Sequence, residues 1–275
     1  MIENLRKIEF EKPELSVEDL AIALHQANRK LTDTNKRLIE SERKRYELLS
    51  NISHDLRSPI SSLRGYVEYL LAFQNLDQEE VHKTLEQMHH RLLSLDYLLN
   101  EMLLYTRLES AETPIRLKPV QIGPYLKAFF QACRADLRYS QRRLTDRVPD
   151  PFPYYTLLDA EMFDRALDNL FTNALKFSSQ NDEIILDAAI RNKRILISVK
   201  DTGIGIDKKH LSLIFERTYM VSDSRTPQHL KGCGLGLSIV SSIMKKHNGT
   251  VHCESTPGKG STFYLSLPLY NHEHS

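Results

Sequence analysis

The residues best suited to chemistry lie in a few short segments, and the first is Ser53-His54-Asp55-Leu56-Arg57-Ser58-Pro59-Ile60. With Ile52 and Leu56 facing a core, a helix advancing about 100° per residue turns His54 almost directly away from it. Ser58, one turn on, shares that outward face, and Asp55 adjoins His54. An imidazole beside a carboxylate is a nucleophile in waiting, because the carboxylate takes the proton of one ring nitrogen and enriches the other. An exposed histidine is ordinarily only a surface residue. The ten others, among them His25, His89, His90 and the C-terminal His-Glu-His, are read that way.

A second group of segments follows far downstream. In Asn169-Leu170-Phe171-Thr172-Asn173-Ala174-Leu175-Lys176, Asn169 and Asn173 stand at i and i+4 on one helical face, with Lys176 three further on. Amide oxygens can complete the shell of a hydrated Mg²⁺, and a lysine can meet phosphate. Asp201-Thr202-Gly203-Ile204-Gly205-Ile206 follows a strand-like run, so a carboxylate and two glycines sit at a strand end, where the carboxylate can accept from an exocyclic amine. Gly232-Cys233-Gly234-Leu235-Gly236-Leu237 then opens a helical run, SIVSSIMKK, so that glycine amides and a helix N-terminus face any anion that docks there. The chain has ten glycines and eight of them fall between 203 and 260, where backbone must turn tightly or approach a ligand.

These segments need elements to hold them. A seam of steps alternating four and three runs Leu20, Leu24, Ala27, Leu31, Thr34, Leu38, Ser41, Arg45, Leu48, Ile52. It changes to four-four-four through Leu56 and Ile60 before resuming at Leu63, Val67 and Leu70, and Pro59 inside this zone should kink the helix or remove a backbone hydrogen bond. After a break near 74–78, a second seam runs Val81, Leu85, Met88, Leu92, Leu95, Leu99, Met102. Two such helices form an antiparallel hairpin whose apolar stripe is too wide to stand alone, so a homodimer pairing two hairpins into a four-helix bundle is expected. Residues 109–119, with two prolines and no periodicity, read as a linker. Beyond it, helical stretches at 122–139 and 160–177 alternate with strand-like runs at 184–190, 194–200, 250–254 and 261–267, turned by Asn248-Gly249 and Pro257-Gly258-Lys259-Gly260. That pattern is an α+β layer of helices on a mostly antiparallel sheet.

Composition excludes several classes. Lys and Arg number 37 against 36 for Asp and Glu, a net charge of +1, so no global basic field exists to hold nucleic acid. Hydrophobic residues at 41% and charged ones at 27% rule out wholesale disorder. No apolar run approaches the roughly eighteen residues that span a bilayer, and the first twenty residues carry acids where a signal peptide would be greasy. The chain as written reads as cytoplasmic. Cys133, Cys233 and Cys253 form no CxxC pair and are odd in number, against a disulfide framework.

Taken together, the segments resemble the boxes of the histidine kinases of bacterial two-component systems. SHDLRSPI looks like their H box, NLFTNALKFS like the N box, DTGIGI like the first glycine box, IFERTY like the F box, GCGLGL like the second glycine box and GKGSTF like the last, in order over residues 45–268. The resemblance implies an α + α/β architecture: a helical-hairpin dimerisation domain, four-helix in the dimer, followed by an α/β-sandwich ATP-binding domain of the gyrase/chaperone/histidine-kinase type. It implies His54 as phosphoacceptor, Asp55 as its base, Ser58 in a phosphatase role and Arg217 reaching the γ-phosphate. For ATP and Mg²⁺ it implies Asn173 on the metal and Asn169 and Lys176 near the phosphates. Asp201 would take the adenine amine, with Thr262 supporting through water, and Gly203, Gly205, Gly232, Gly234, Leu235 and Gly236 would line the nucleotide under a lid at 207–231.

The resulting domain reading is a signalling helix at 1–44, the dimerisation and phosphotransfer hairpin at 45–110, a linker at 111–119, the ATP-binding domain at 120–270 and a tail at 271–275. Residues 18–31 loosely resemble the second helix of the HAMP relay module, and an ordinary amphipathic helix accounts for them as well. The first reading makes the chain the cytosolic portion of an inner-membrane sensor, and the second a soluble kinase with a partner as input. The implied function is ATP-dependent autophosphorylation of His54 and transfer to an aspartate of a response regulator receiver domain. The alternative is a phosphatase-biased or non-catalytic nucleotide-binding signalling dimer. Asp55 and Ser58 stand where the family usually has Glu and Thr, and Thr218 where the F box has Phe.

Overall fold

A computed structural model describes residues 17–73, 77–109, 114–216, 219 and 234–270. The chain divides into two units, Met1–Asn51 and Ile52–Ser275. In the first, the helical backbone that begins α1 (Val17–Ala72) carries the seam residues Leu24, Leu31 and Leu38 in the open, Leu31 at 70% exposure. Here Thr32 and Thr34 donate their hydroxyls to the carbonyls of Asn28 and Lys30, the back-bonding expected of threonine inside a helix.

The second unit opens with the end of α1 and continues into α2 (Gln78–Glu109). Pro59 lies buried within α1 and, lacking an N–H, leaves the Asp55 carbonyl without its i+4 donor. Asp77 caps α2, its carboxylate accepting from the Glu80 N–H at 2.7 Å, with Glu79 and Glu80 at the positive end of the helix. Tyr69 ties the end of α1 to the start of α2, its hydroxyl donating to Glu80 at 2.5 Å. Leu85, Leu92 and Leu99 remain exposed along α2, and Ile60 and Val67 along α1. Among the described residues no helix is long and apolar enough to cross a membrane.

Beyond the hairpin come β1 (Lys118–Gln121), α3 (Ile122–Ala135), β2 (Arg143–Asp146), β3 (Tyr155–Leu158), α4 (Ala160–Phe177), β4 (Glu183–Arg191), β5 (Arg194–Asp201), α5 (Gly236–Lys246), β6 (Thr250–Thr256) and β7 (Gly260–Pro268). The main sheet has the order β2-β4-β5-β7-β6, with β2 parallel to β4 and the remaining pairs antiparallel; β1 and β3 form a separate antiparallel pair. Ile195, Ile197 and Val199 alternate into the core with Phe263, Leu265 and Leu267 of the neighbouring strand, where Phe130, Phe163 and Phe171 of the helices are also buried. The four-residue strands β1, β2 and β3 fall where sequence periodicity is silent, and α3 stops at Ala135, followed by a 3-10 turn at Leu137–Tyr139.

Two contacts fix α4, which carries the Asn face. At its start, the Asp159 carboxylate accepts from the N–H groups of Met162 (3.3 Å) and Arg116 (2.9 Å), while the Asp159 N–H donates to His247 Nε2 at 3.0 Å. His247 Nδ1 donates in turn to the Ile243 carbonyl at 2.8 Å. The surface reading of this histidine is therefore corrected: His247 is 2% exposed and joins the start of α4 to the end of α5. At the other end of α4, the Arg142 guanidinium donates to the carbonyls of Ser178 (2.8 Å) and Leu175 (3.4 Å) and to the Ser178 hydroxyl (2.9 Å), capping the helix C-terminus. Cys133 and Cys253 are free and buried, and Cys233 lies outside the described residues.

Candidate active site

Asp201 ends β5 at 4% exposure. Its Oδ1 accepts from the Gly203 N–H at 2.9 Å and the Ser261 N–H at 3.3 Å, which fixes the plane of the carboxyl group. Burial raises its pKa from the ordinary carboxylate value, and the two backbone donors work against that rise. The loop that follows is locked at several points: the Ile204 N–H donates to the Phe177 carbonyl at 3.1 Å, the Gly258 N–H to the Ile204 carbonyl at 2.7 Å and the Ile206 N–H to the Ser255 hydroxyl at 2.7 Å.

Glycine is required in this wall, most strictly at two points where φ is positive. Gly205 has φ +69° and Gly260 φ +94°, and a Cβ would lie 2.1 Å from the Thr256 carbonyl oxygen in one case and 2.0 Å from the Asp201 carbonyl oxygen in the other. A side chain at either position would push apart the strands that hold the Asp201 carboxylate.

The Asn face of α4 is assembled as its spacing predicts. Asn169 is 5% exposed and its Nδ2 donates to the Arg165 carbonyl at 3.1 Å. It abuts the start of α5, since a Cβ on Gly236 would come 2.6 Å from Asn169 Oδ1. Asn173 and Lys176 follow on the same helix, half-buried, with the Lys176 ammonium 5.2 Å from the Phe177 ring centre and its charged form disfavoured by burial. Gly234, at φ +67°, precedes the helix, and Leu235 is a core residue whose carbonyl accepts from the Ile239 N–H at 2.9 Å and the Ser238 hydroxyl at 2.8 Å.

Several sequence expectations fare differently. The backbone of His54 and Asp55 lies within α1, but their side chains, like Arg217 and Gly232, are outside the described residues. Ser58 is exposed on α1, its carbonyl accepting from the Ser62 hydroxyl at 3.1 Å. Thr262 is not brought to Asp201. It pairs with Lys200 on the opposite face of the sheet, near the Tyr264 hydroxyl, and its neighbour Ser261 supplies the contact instead. The burial of Phe263 signals this, because alternation then puts Ser261 on the core side and Thr262 on the other.

One contact has no counterpart in the sequence reading. From α2, the Tyr97 hydroxyl lies 3.5 Å from Asn169 Oδ1, and the carboxylate of Glu101, one turn on, accepts from the Asn169 amide. Glu101 is 5% exposed and its Oε2 has no hydrogen-bond partner.

This donor set fits an adenine nucleotide. A buried, oriented carboxylate beside tight backbone suits an exocyclic amine, and a carboxamide at a helix N-terminus suits phosphate oxygens. Among the described residues no three His, Cys, Asp or Glu gather to hold a metal ion. A single amide oxygen such as that of Asn173 fits Mg²⁺, which keeps several waters and binds largely through substrate phosphates.

Comparison with known proteins agrees. Residues 44–111 match the His Kinase A (phospho-acceptor) domain, and residues 158–271 match the histidine kinase-, DNA gyrase B- and HSP90-like ATPase domain. The chain is 34% identical over 231 residues to the phosphate regulon sensor protein PhoR of Pseudomonas aeruginosa, covering 82% of this chain and 51% of that one. To the sensor histidine kinase WalK of Bacillus subtilis it is 30% identical over 236 residues, covering 82% and 37%. It thus spans about half the length, or less, of the curated relatives it matches. The fold is shared with histidine kinase ThkA, solved in complex with response regulator protein TrrA, at a TM-score of 0.67 and 19% identity over 83% of this chain and 63% of that one. With both domains present in tandem and in the order of its sequence boxes, the chain belongs to the sensor histidine kinases of bacterial two-component systems.

Proposed function

We propose that the chain is an ATP-dependent protein-histidine kinase that phosphorylates itself on His54 and hands the phosphoryl group to an aspartate of a response regulator. The observation that carries this is the Asp201 carboxylate, buried and held by two backbone N–H groups at the mouth of a glycine-walled loop, in a chain that also has a His-Asp pair on its first helix. Asp201 takes the adenine amine, Ser261 steadies that carboxylate, and Asn169, Lys176 and the start of α5 receive the phosphates. Mg²⁺, held by Asn173, supplies neutralisation of phosphate charge when bound.

In the reaction, a ring nitrogen of His54 attacks the γ-phosphorus. The phosphorus–nitrogen bond forms as the bond to the β–γ bridging oxygen breaks, and ADP departs. Asp55 accepts the proton from the other ring nitrogen, and Arg217 meets the γ-phosphate oxygens during transfer. The receiver aspartate then takes the phosphoryl group as the phosphorus–nitrogen bond breaks. A homodimer is part of this reading, supported by the exposed apolar seams of α1 and α2, whose large side chains a second copy would cover. The test is incubation with γ-labelled ATP and Mg²⁺ followed by acid and alkali treatment of the labelled protein. Label stable in base and lost in acid is expected; label with the reverse stability contradicts phosphohistidine.

A further inference from the structure

Helix α2 has two faces of different use. The seam residues Leu95, Leu99 and Met102 mark one. Tyr97, Glu101, Leu104 and Leu108 repeat at steps of four, three and four on the other, offset from the seam by about 200°. Glu101 and Leu108 on this second stripe are buried, Leu104 is half-buried, and α2 packs against α5. The second stripe therefore docks on the ATP-binding domain around Glu101, with Tyr97 45% exposed at its edge, while Leu99 of the seam stays exposed.

What it docks on is Asn169, whose carboxamide is engaged at both ends: Nδ2 toward the Arg165 carbonyl and Glu101, Oδ1 beside the Tyr97 hydroxyl and Gly236. An amide covered in this way meets no incoming phosphate until α2 leaves. The seat is also uneasy. Glu101 Oε2 is buried with no hydrogen-bond partner and Asp168 repels the carboxylate, against the attraction of Arg165 and one hydrogen bond from the Asn169 amide. A buried carboxylate at this position sets negative charge beside the place where a triphosphate would bring more.

We propose that the Tyr97–Glu101 step of α2 is an autoinhibitory latch, which covers Asn169 in the docked chain and competes with nucleotide for helix α4. The proposal rests on the reading of Asn169 as a phosphate-site residue. Burial pushes the Glu101 carboxyl up to about 7, in keeping with a group whose charge is poorly solvated where it sits.

The test uses the full chain and the non-hydrolysable analogue AMPPNP with Mg²⁺, with affinity measured by calorimetry and hydrogen exchange followed over residues 95–108. Leu108→Asp, which places a charge under the docked stripe far from the nucleotide, is expected to bind AMPPNP about fivefold or more tightly than wild type, within the usual range of coupling between sites. In the wild type, AMPPNP is expected to raise exchange across 95–108. Equal or weaker affinity for Leu108→Asp, or exchange that falls or stays fixed on adding AMPPNP to the wild type, overturns the latch; the exchange measurement stands even if the variant does not fold. Absence of AMPPNP binding by wild type and variant alike overturns the nucleotide reading itself, and the latch with it.

Discussion

Asp201→Asn isolates the base-recognition step. In the native protein Oδ1 already accepts from Gly203 and Ser261, so an asparagine can keep its amide oxygen on those two N–H groups and leave the fold intact. Its NH₂ then replaces the carboxylate oxygen that faces the adenine amine, setting donor against donor. A hydrogen bond to a charged group contributes about 1.5–3 kcal/mol, and an unpaired buried donor adds a further penalty. A loss of about 2–3 kcal/mol is therefore expected, which weakens ATP affinity roughly 30- to 150-fold. The assay is calorimetric titration with ATP and Mg²⁺, paired with a thermal melt. Because the native carboxyl is strained by burial, the melt should not drop. Affinity within about threefold of wild type, with the fold intact, would refute the assignment of Asp201 to the adenine amine.

Other consequences are independent of it. His247 accepts from the Asp159 N–H through Nε2 and burial lowers its pKa, so the unfolded chain takes up a proton at a pH where the native one does not. Stability is accordingly complete above about pH 6.5 and falls below it by up to about 1.4 kcal/mol per pH unit; urea melts between pH 5.5 and 7.5 should show that slope in the wild type and a shallower one in His247→Gln. Arg142→Ala removes the donors that cap α4 and should cost about 2 kcal/mol, lowering the melting temperature by about 4–8 °C, with Arg142→Lys restoring only part. Leu85→Glu with Leu92→Glu places charges in the exposed seam and should yield a monomer by sedimentation while AMPPNP binding persists; a stable dimer in the double variant would contradict the bundle.

Much of this was legible in the residues because strong periodicity carries across long elements. The apolar spacing predicts α4 at 160–177, where the structure has it, and the strand-like runs near 184 and 194 become β4 and β5 with their ends extended by a residue or so. Strands of four residues, such as Lys118–Gln121 with its proline, offer no period to read. The Asp201 carboxylate was legible as a carboxylate at a strand end, but its support came from backbone N–H groups, which no residue type announces. The family resemblance points to Thr262, yet strand alternation sends it away and leaves Ser261 in place. Arg142 and His247 act on helix ends from distant parts of the chain, so their roles depend on the tertiary fold. The second stripe of α2 escaped because a glutamate interrupts it, and only packing on α4 explains a glutamate there.

The central claim is that His54 itself carries the phosphoryl group, and His54→Gln tests it most directly. Wild type and variant are incubated with ATP and Mg²⁺, and the phosphorylated residue is identified by phosphorus NMR and peptide mapping under alkaline conditions. The account predicts a phosphoramidate on the peptide containing His54 in the wild type, and none in His54→Gln, whose affinity for AMPPNP is unchanged. A phosphoramidate retained in His54→Gln, or mapped to another histidine, would contradict it.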